Sequence, residues 1–566
     1  MPNKPGLNSE PPSLQKRLPL ALALMMLVLL ASQYFFKPAP GPKPAPPITD
    51  KHAAVLASKP EPAAPVTVPS KELSVGEVRA NSEVTTTIDT SLYNIVFTNR
   101  GAVVKSWTLK RYKNSLNKPL ELINQQASDV PLPFSIQTSG PKLTVDPNTV
   151  LYQVKVSPDG TGVDYEFSDG KTTIHKSFRF GQNSYLSNVK SEVLLNGNPV
   201  PSFLMWRGGF GDLRVRNASG SEHTVRFDAT SNKLVTKTAK DAKNGPVTDS
   251  GNYTFAGLED TFFAAVALPA SGSSLEVRTY SDDAKAPGAE KAEPFVGAGL
   301  STGTQDDLSL YVGPKDQDIL RSVNPKLVKL IDWGFFGIIA KPLFLSLNWV
   351  DDHITGNYGW AIILVTLIIN ILLFPFKLTS LRSARKMQRL QPQIQAINAK
   401  YKDVGIRDPR KTEQNQEVMA LYKKEGVNPL GGCLPLLLQL PFFYAFYRVL
   451  DIAIELRHAP WLWVPDLSQA EMLPIHVLPL ILIATQFLTQ KMTPAAGVDP
   501  NQQRMMMFMP LMFGFRFYYA SAGLVLYWLT GNLVGIAQQM IINKTMPAPP
   551  PPPRPVKAPV KRTVKK

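Results

Sequence analysis

The stretch from Gly426 to Leu450 reads GVNPLGGCLPLLLQLPFFYAFYRVL, an apolar run that carries Pro435, Gln439 and Pro441. Inside lipid every backbone polar group needs a partner. Helix breakers and amides at depth are therefore tolerated only against protein or a wet cavity. A segment built this way lines something, because a plain anchor has no use for an amide at its centre. Arg516, within FGFRFYY, poses the same question in another apolar run. An arginine at the centre of a bilayer costs roughly 2.5–3.5 kcal/mol on insertion scales, so its default reading is functional. The chemistry on offer is recognition and charge stabilisation. No GxSxG, HExxH, phosphate-loop or paired-carboxylate motif stands out, and the expectation is a non-enzyme. The lone Cys433 excludes an intrachain disulfide and has no Cys/His metal spacing around it. Leu430-Gly431-Gly432-Cys433 looks like a lipoprotein box without a signal sequence before it, so a small buried thiol is the better reading. No metal or cofactor is expected.

The elements that position these residues follow from hydropathy and charge. The chain has 566 residues and a net charge of +17. Its mean hydropathy of -0.07 conceals a polar half before about residue 320 and an apolar half after it. Apolar segments occupy about 358–376, 430–452, 473–490, 505–520 and 522–542. The loop 377–424 between the first two holds Arg382, Arg385, Lys386, Arg389, Lys400, Lys402, Arg407, Arg410, Lys411, Lys423 and Lys424. Basic loops stay on the cytoplasmic side, so the excess of Lys and Arg reads as membrane orientation and no specific nucleic acid partner is expected. One topology then satisfies every loop. The N-terminus (1–17), the loop with Lys491 and Arg504, and the basic tail 544–566 lie inside, and the polar half lies outside.

The run 18–36, preceded by Lys16 and Arg17, is long enough to cross a bilayer. A retained anchor is favoured over a cleaved signal, for which Ala31-Ser32 is a poor site. Residues 37–70 are rich in Pro and Ala and read as a semi-extended linker. From 71 to 312 the pattern turns to short alternating runs (TTTIDT, YNIVFTN, AVVKSWTL, VDYEF, LSLYVG) bounded by turn residues, which predicts one large antiparallel β-sandwich. The region 313–356 contains LVKLIDWGFFGIIAKPLFLSLNWVDD, whose spaced charges and aromatics favour a helix lying in the membrane interface. A buried amphipathic helix is the plainer alternative. In the loop, RSARKMQRLQPQIQAI and EQNQEVMALYKKEG predict an antiparallel helical hairpin over 379–428, joined near 405–409. The whole is a polytopic α-helical membrane protein of six transmembrane helices with a β-domain outside.

GNYGWAIILVT, RSARKMQRLQPQIQAI, EVMALYKKEGVNPLGGCLPLLLQLP, ELRHAPWLWVPDLS, QKMTP, MFMP and SAGLVLYW, in this order, resemble the YidC/Oxa/Alb membrane-insertase family. The likeness spans nearly the whole chain, weakly in the β-domain and strongly from Gly356. With a large periplasmic domain and an anchor before a core of five spans (357–543), it is the Gram-negative YidC type that the chain resembles. The resemblance implies a chaperone that inserts and helps fold inner-membrane proteins, alone or beside the Sec translocon. It implies nascent inner-membrane proteins as partners, with the ribosome or the signal-recognition receptor on the hairpin, and membrane lipids around it. The core would enclose a hydrophilic groove open to cytoplasm and lipid and closed to the outside. Such a groove removes part of the cost of carrying charges through hydrocarbon, and each Leu, Ile, Phe or Val of an emerging span returns roughly 0.3–0.6 kcal/mol. Nothing resembling a Walker motif appears, so no nucleotide is expected to be consumed.

By the resemblance, groove positions fall at Thr366, Asn370, Gln439 and Trp528, and a path for a sliding substrate helix at Leu440, Pro441 and Phe443. Ordinary interhelix packing is the plainer alternative for each of them. One departure stands out. The family carries an arginine where this chain has Asn370, while Arg516 stands where the family is usually apolar. Counting about 1.5 Å per residue puts Arg516 and Asn370 roughly 8 Å apart in depth. Arg516 is therefore a candidate for the groove's cation, against a side chain that snorkels to the headgroups. A transporter with an outside binding domain is the rival from another class, but the core shows no obvious internal repeat. A carbohydrate-processing sandwich on an anchor leaves the later spans unexplained.

Overall fold

The computed structural model describes residues 76–215, 218–269, 274–303, 305–401, 408–427, 434–492, 508, 511–512 and 514–545. The expected anchor at 18–36, the linker at 37–70, Cys433, and the tail from 546 onward lie outside those residues.

Strands run from Glu77–Val78 to Gln305–Pro314 and pair antiparallel. They divide among three sheets of 11, five and four strands. The period-two pattern explains the packing. In Thr172–Phe180 the alternate residues Thr172, Ile174, Lys176, Phe178 and Phe180 turn inward. Leu258, Ala265 and Leu310 of the largest sheet face Leu204, Ala298 and Leu300 of the five-stranded one across an apolar gap. The four-stranded sheet closes the other end, with Phe97 on Phe178 at 4.9 Å and Trp107 on Phe180 at 5.9 Å between ring centres. Alternation also carries Lys176 into this core, at 1% exposure. Its ammonium is satisfied by three carbonyls, those of Gly101 (2.7 Å), Ala102 (3.2 Å) and Phe134 (2.7 Å).

A helical region follows. Asp332 caps a turn through Gly334, whose φ of 69° suits glycine, and the helix α1 (Gly337–Val350) begins only after it. Ala340, Leu343, Phe344, Leu347 and Val350 face the core, while Phe335, Ile338 and Trp349 are exposed. The helix α2 (Tyr358–Lys400) is one element of 43 residues. It joins the first expected core span to the first hairpin helix without a break, because residues 377–391 hold no Gly or Pro and are rich in helix formers. The second hairpin helix, α3 (Arg410–Lys424), packs Tyr422 and the following Val427 on Leu390 and Ile394 of α2. Then come α4 (Leu434–Ile452), α5 (Val477–Met492) and α6 (Ala522–Thr545).

Among the described residues two helical stretches are long and apolar enough to cross a membrane, Tyr358–Leu378 and Ala522–Thr545. Val477–Met492 is apolar but shorter. Part of the expected span at 505–520 lies outside the described residues, and among the described residues fewer such helices are seen than the six spans expected from sequence.

Candidate functional site

The ends of the helices nearest the β-domain are pinned first. Asn357 accepts from the amides of Gly359 (3.0 Å) and Trp360 (3.4 Å), capping α2, and donates to the carbonyl of Pro460 (2.7 Å). Gly359 is required here, because a Cβ would overlap the Trp461 ring. Around this point Ile362, Val365, Phe446, Val449, Leu456, Leu467, Leu478, Leu482 and Val525 form one dry cluster. The half of the helical core nearest the β-domain, here called its outer half, is thus packed with apolar side chains.

The inner half is different in kind, and α6 shows the change along its own length. From Ala522 to Leu529 the sequence is apolar; the buried residues of its later turns include Thr530, Asn532, Gln538 and Gln539. Asn532 donates to Thr485 of α5 at 3.4 Å. Gln538 donates to the carbonyl of Asn370 at 3.3 Å and accepts from the Lys377 ammonium at 2.9 Å. Thr366 is fully buried and donates to Ile362 O at 2.6 Å, and Asn370, half-buried, donates to Thr366 O at 2.9 Å. Neither side chain needs a partner from another helix, which keeps α2 regular while its polar face stays toward α6. Further inward, the Arg385 guanidinium donates to the Asn543 side chain. A polar seam therefore runs between α2, α5 and α6 toward the basic end of the helices.

A second cluster joins α4 to α6. Phe443 packs on Trp528 at 4.8 Å, and Trp528 packs on Phe517 at 4.6 Å between ring centres. Phe446 stacks on Tyr527 at 4.3 Å. Pro441 lies inside α4 and is partly buried, whereas Gln439 is exposed and Leu440 is 46% exposed. Gln439 makes no hydrogen bond to the described residues.

The residues expected to form the groove thus fall into groups. The structure brings Thr366 and Asn370 together, and Trp528 with Phe443, and leaves Gln439 and Leu440 on an open face. Among the described residues no hydrogen bond joins Arg516 to Asn370. Arg516 is exposed, makes no hydrogen bond or ion pair among the described residues, and sits four residues before Ala520, near the outer end of its segment. Its neighbour Phe517 takes the inward position. Sequence alone gives no site role to Lys377, Thr485, Asn532, Gln538 and Asn543, and reads Arg385 only as a loop cation. A signal existed in the last helix, where the adjacent amides Gln538 and Gln539 interrupt an apolar run just as Gln439 does.

Among the described residues no group of His, Cys, Asp and Glu is placed to hold a metal ion. The site offers hydrogen bonds, one flank of aromatic rings and, at its basic end, cations with no carboxylate partner among the described residues.

Family comparisons cover both halves of the chain. Residues 85–346 match the YidC periplasmic domain, and 349–549 match the 60Kd inner membrane protein family. A membrane protein insertase YidC from Geobacter sp. (strain M21) is 34% identical over 477 residues, covering 81% of this chain and 85% of the relative. Another from Geotalea daltonii is 32% identical over 554 residues, covering 94% of this chain and 100% of the relative. One from Syntrophus aciditrophicus is 33% identical, with 94% and 100% covered. With the β-domain and the helical core both matched in chain order, the protein belongs to the YidC family of membrane protein insertases.

Proposed function

We propose that this chain receives the hydrophilic end of a nascent inner-membrane protein in the polar inner half of its core and releases the apolar segment sideways into lipid. The observation that carries this reading is the change along α6, from a buried apolar outer half to Thr530, Asn532, Gln538 and Gln539 buried in the inner half. A pore would need polar groups throughout, and a plain bundle would need none at depth. A half-polar core shortens the apolar distance a charged tail must cross. The exposed Gln439 and Leu440, beside Pro441 in α4, supply an open flank next to the aromatic pair Phe443–Trp528 along which a substrate helix slides.

In this reading six helices span the inner membrane, the termini and the α2–α3 hairpin face the cytoplasm, and the β-domain is periplasmic. The basic residues of the hairpin support that orientation. The hairpin is the place for ribosome or signal-recognition-receptor contacts, and the Sec translocon is a partner for longer clients. Insertion is driven by transfer of apolar residues into lipid, with no nucleotide hydrolysed.

The test is insertion of a short single-span substrate into liposomes holding the purified protein, read by protease protection of the substrate tail. Protection matching that of a control insertase is expected. Absence of protection, in an assay where the control works, overturns the reading.

A further inference from the structure

Two cations at the inner end of α2 are unusual for what they lack. Among the described residues the Lys377 ammonium donates to the Gln538 amide alone, and the Arg385 guanidinium to the Asn543 amide alone. Neither forms an ion pair with a carboxylate among the described residues. Arg385 is 8% exposed, yet its Nε and Nη1 groups are buried without an acceptor. Buried N–H groups of a charged side chain are costly to leave unmet. The contrast lies farther along the same hairpin, where Lys400 pairs with Glu417 at 3.3 Å and Arg410 with Asp408 at 2.7 Å. Carboxylates are present where the hairpin stands clear of the helical core and missing where it joins it.

We propose that Lys377 and Arg385 form a binding site for the phosphate of an anionic phospholipid of the inner leaflet, seated at the seam of α2 and α6. Depth is the first argument. Lys377 stands 19 residues after Tyr358, the first residue of α2 at its outer end, so it lies about 28 Å along the helix. That is the inner edge of a hydrocarbon core about 30 Å thick, and Arg385 is about 12 Å farther, so the pair brackets the headgroup layer. Surroundings are the second. Phe376 beside Lys377, and Met540 and Ile541 beside the Gln538–Asn543 stretch, are exposed apolar side chains at the same level, where acyl chains lie. Chemistry is the third. A planar guanidinium with unspent donors and a nearby ammonium match the oxygens of a phosphate, and the neutral amides of Gln538 and Asn543 orient both without cancelling their charge. Arg382, Lys386 and Arg389, all exposed, add an attractive field over the same surface. The site is the inner end of the polar seam and shares Gln538 with it, but lipid retention reads it apart from substrate insertion.

The test uses the full-length protein in phosphatidylcholine vesicles containing a trace of spin-labelled phosphatidylglycerol or spin-labelled phosphatidylcholine. The measured quantity is the motionally restricted fraction. Wild type is expected to hold phosphatidylglycerol over phosphatidylcholine. Each of Lys377→Gln and Arg385→Gln is expected to lower that preference by about fivefold, as for the loss of one cation near a charged headgroup. Lys386→Gln, on the exposed side, leaves most of the preference, and Arg385→Lys restores part of what Arg385→Gln removes. Circular dichroism of each variant identifies any that fails to fold, and Arg385→Lys then decides. Equal retention of the two lipids by wild type overturns the proposal, as does an unchanged preference in the double glutamine variant. Displacement of phosphatidylglycerol by a substrate peptide with an acidic tail, but not by its amide counterpart, also overturns it, because the site would then belong to a substrate carboxylate.

Discussion

Arg457, in the turn that follows α4, reaches into the β-domain and pairs with Asp212, and both side chains are 3% exposed. The carboxylate is held from behind, since the amide of Arg214 donates to it at 3.2 Å and the backbone amide of Asp212 donates to Asp260 at 2.8 Å. Phe263 lies under the guanidinium at 5.5 Å. Ile452 and Ile454, flanking residues from the core side, belong to the same apolar cluster as the β-domain. The two halves of the chain are thus joined by a buried ion pair inside apolar packing.

Breaking that pair from one side leaves an uncompensated buried charge. Asp212→Asn or Arg457→Leu should each lower stability by about 3–5 kcal/mol. Replacing both, as Asp212→Leu with Arg457→Met, should recover much of the loss. Thermal unfolding of the purified protein, with limited proteolysis between the β-domain and α1, reads the effect. Losses that simply add in the double variant would show that the two residues act independently.

Lys176 makes a different forecast for the β-domain alone. Lys176→Met keeps the length of the side chain but leaves the carbonyls of Gly101, Ala102 and Phe134 without their donor. Burial alone pushes the Lys176 ammonium down to about 7, yet three carbonyls within hydrogen-bond reach favour the charged form. We therefore expect a loss of about 1–3 kcal/mol on substitution, the penalty of unmet buried polar groups. Denaturant unfolding of the β-domain signal measures it, and an unchanged midpoint would mean the lysine sits neutral and unneeded.

How much of this was legible beforehand differs by residue, and for physical reasons. The alternating strands and the apolar spans are local patterns, so their positions follow from sequence. Partners distant in the chain do not. Nothing near Asp212 announces Arg457, 245 residues away. Lys377 looked like the first residue of a basic loop because hydropathy falls there, and only the continuous α2 turns it toward Gln538. Arg516 shows the opposite limit: residue depth can be counted from sequence, but the face a helix presents is set by its neighbours, and here Phe517 packs on Trp528 while Arg516 is exposed.

Glu455 gives the junction a pH dependence. Loss of hydration pushes its carboxyl up to about 7 from the usual 4.5, and the nearby Asp316 and Asp318 act in the same direction. The folded state therefore keeps a proton that the unfolded chain releases between those values. Its contribution to stability is present below pH 4.5 and is lost as pH rises through about 7. Wild type should lose stability relative to Glu455→Gln between about pH 5 and about pH 8, since glutamine imitates the protonated form throughout. Parallel pH profiles of the melting temperature for the two proteins would refute the assignment.

The insertion assay separates the polar seam from the exposed arginine. Asn370→Leu and Gln538→Leu each remove a polar side chain from the inner half of the core and, with it, a place for a hydrophilic tail to pair. Interhelical polar contacts in membranes are worth about 0.6–2 kcal/mol, so each change should slow insertion of a substrate with a charged tail about three- to thirtyfold. A substrate with an uncharged tail should be affected less, because it gains less from polar surroundings. Arg516→Leu should stay within about twofold of wild type, as its side chain is exposed near the outer end and bonds to none of the described residues. Should Arg516→Leu abolish insertion in a folded protein while Asn370→Leu does not, the working charge would lie in the segment before α6, and the seam between α2 and α6 would be packing alone.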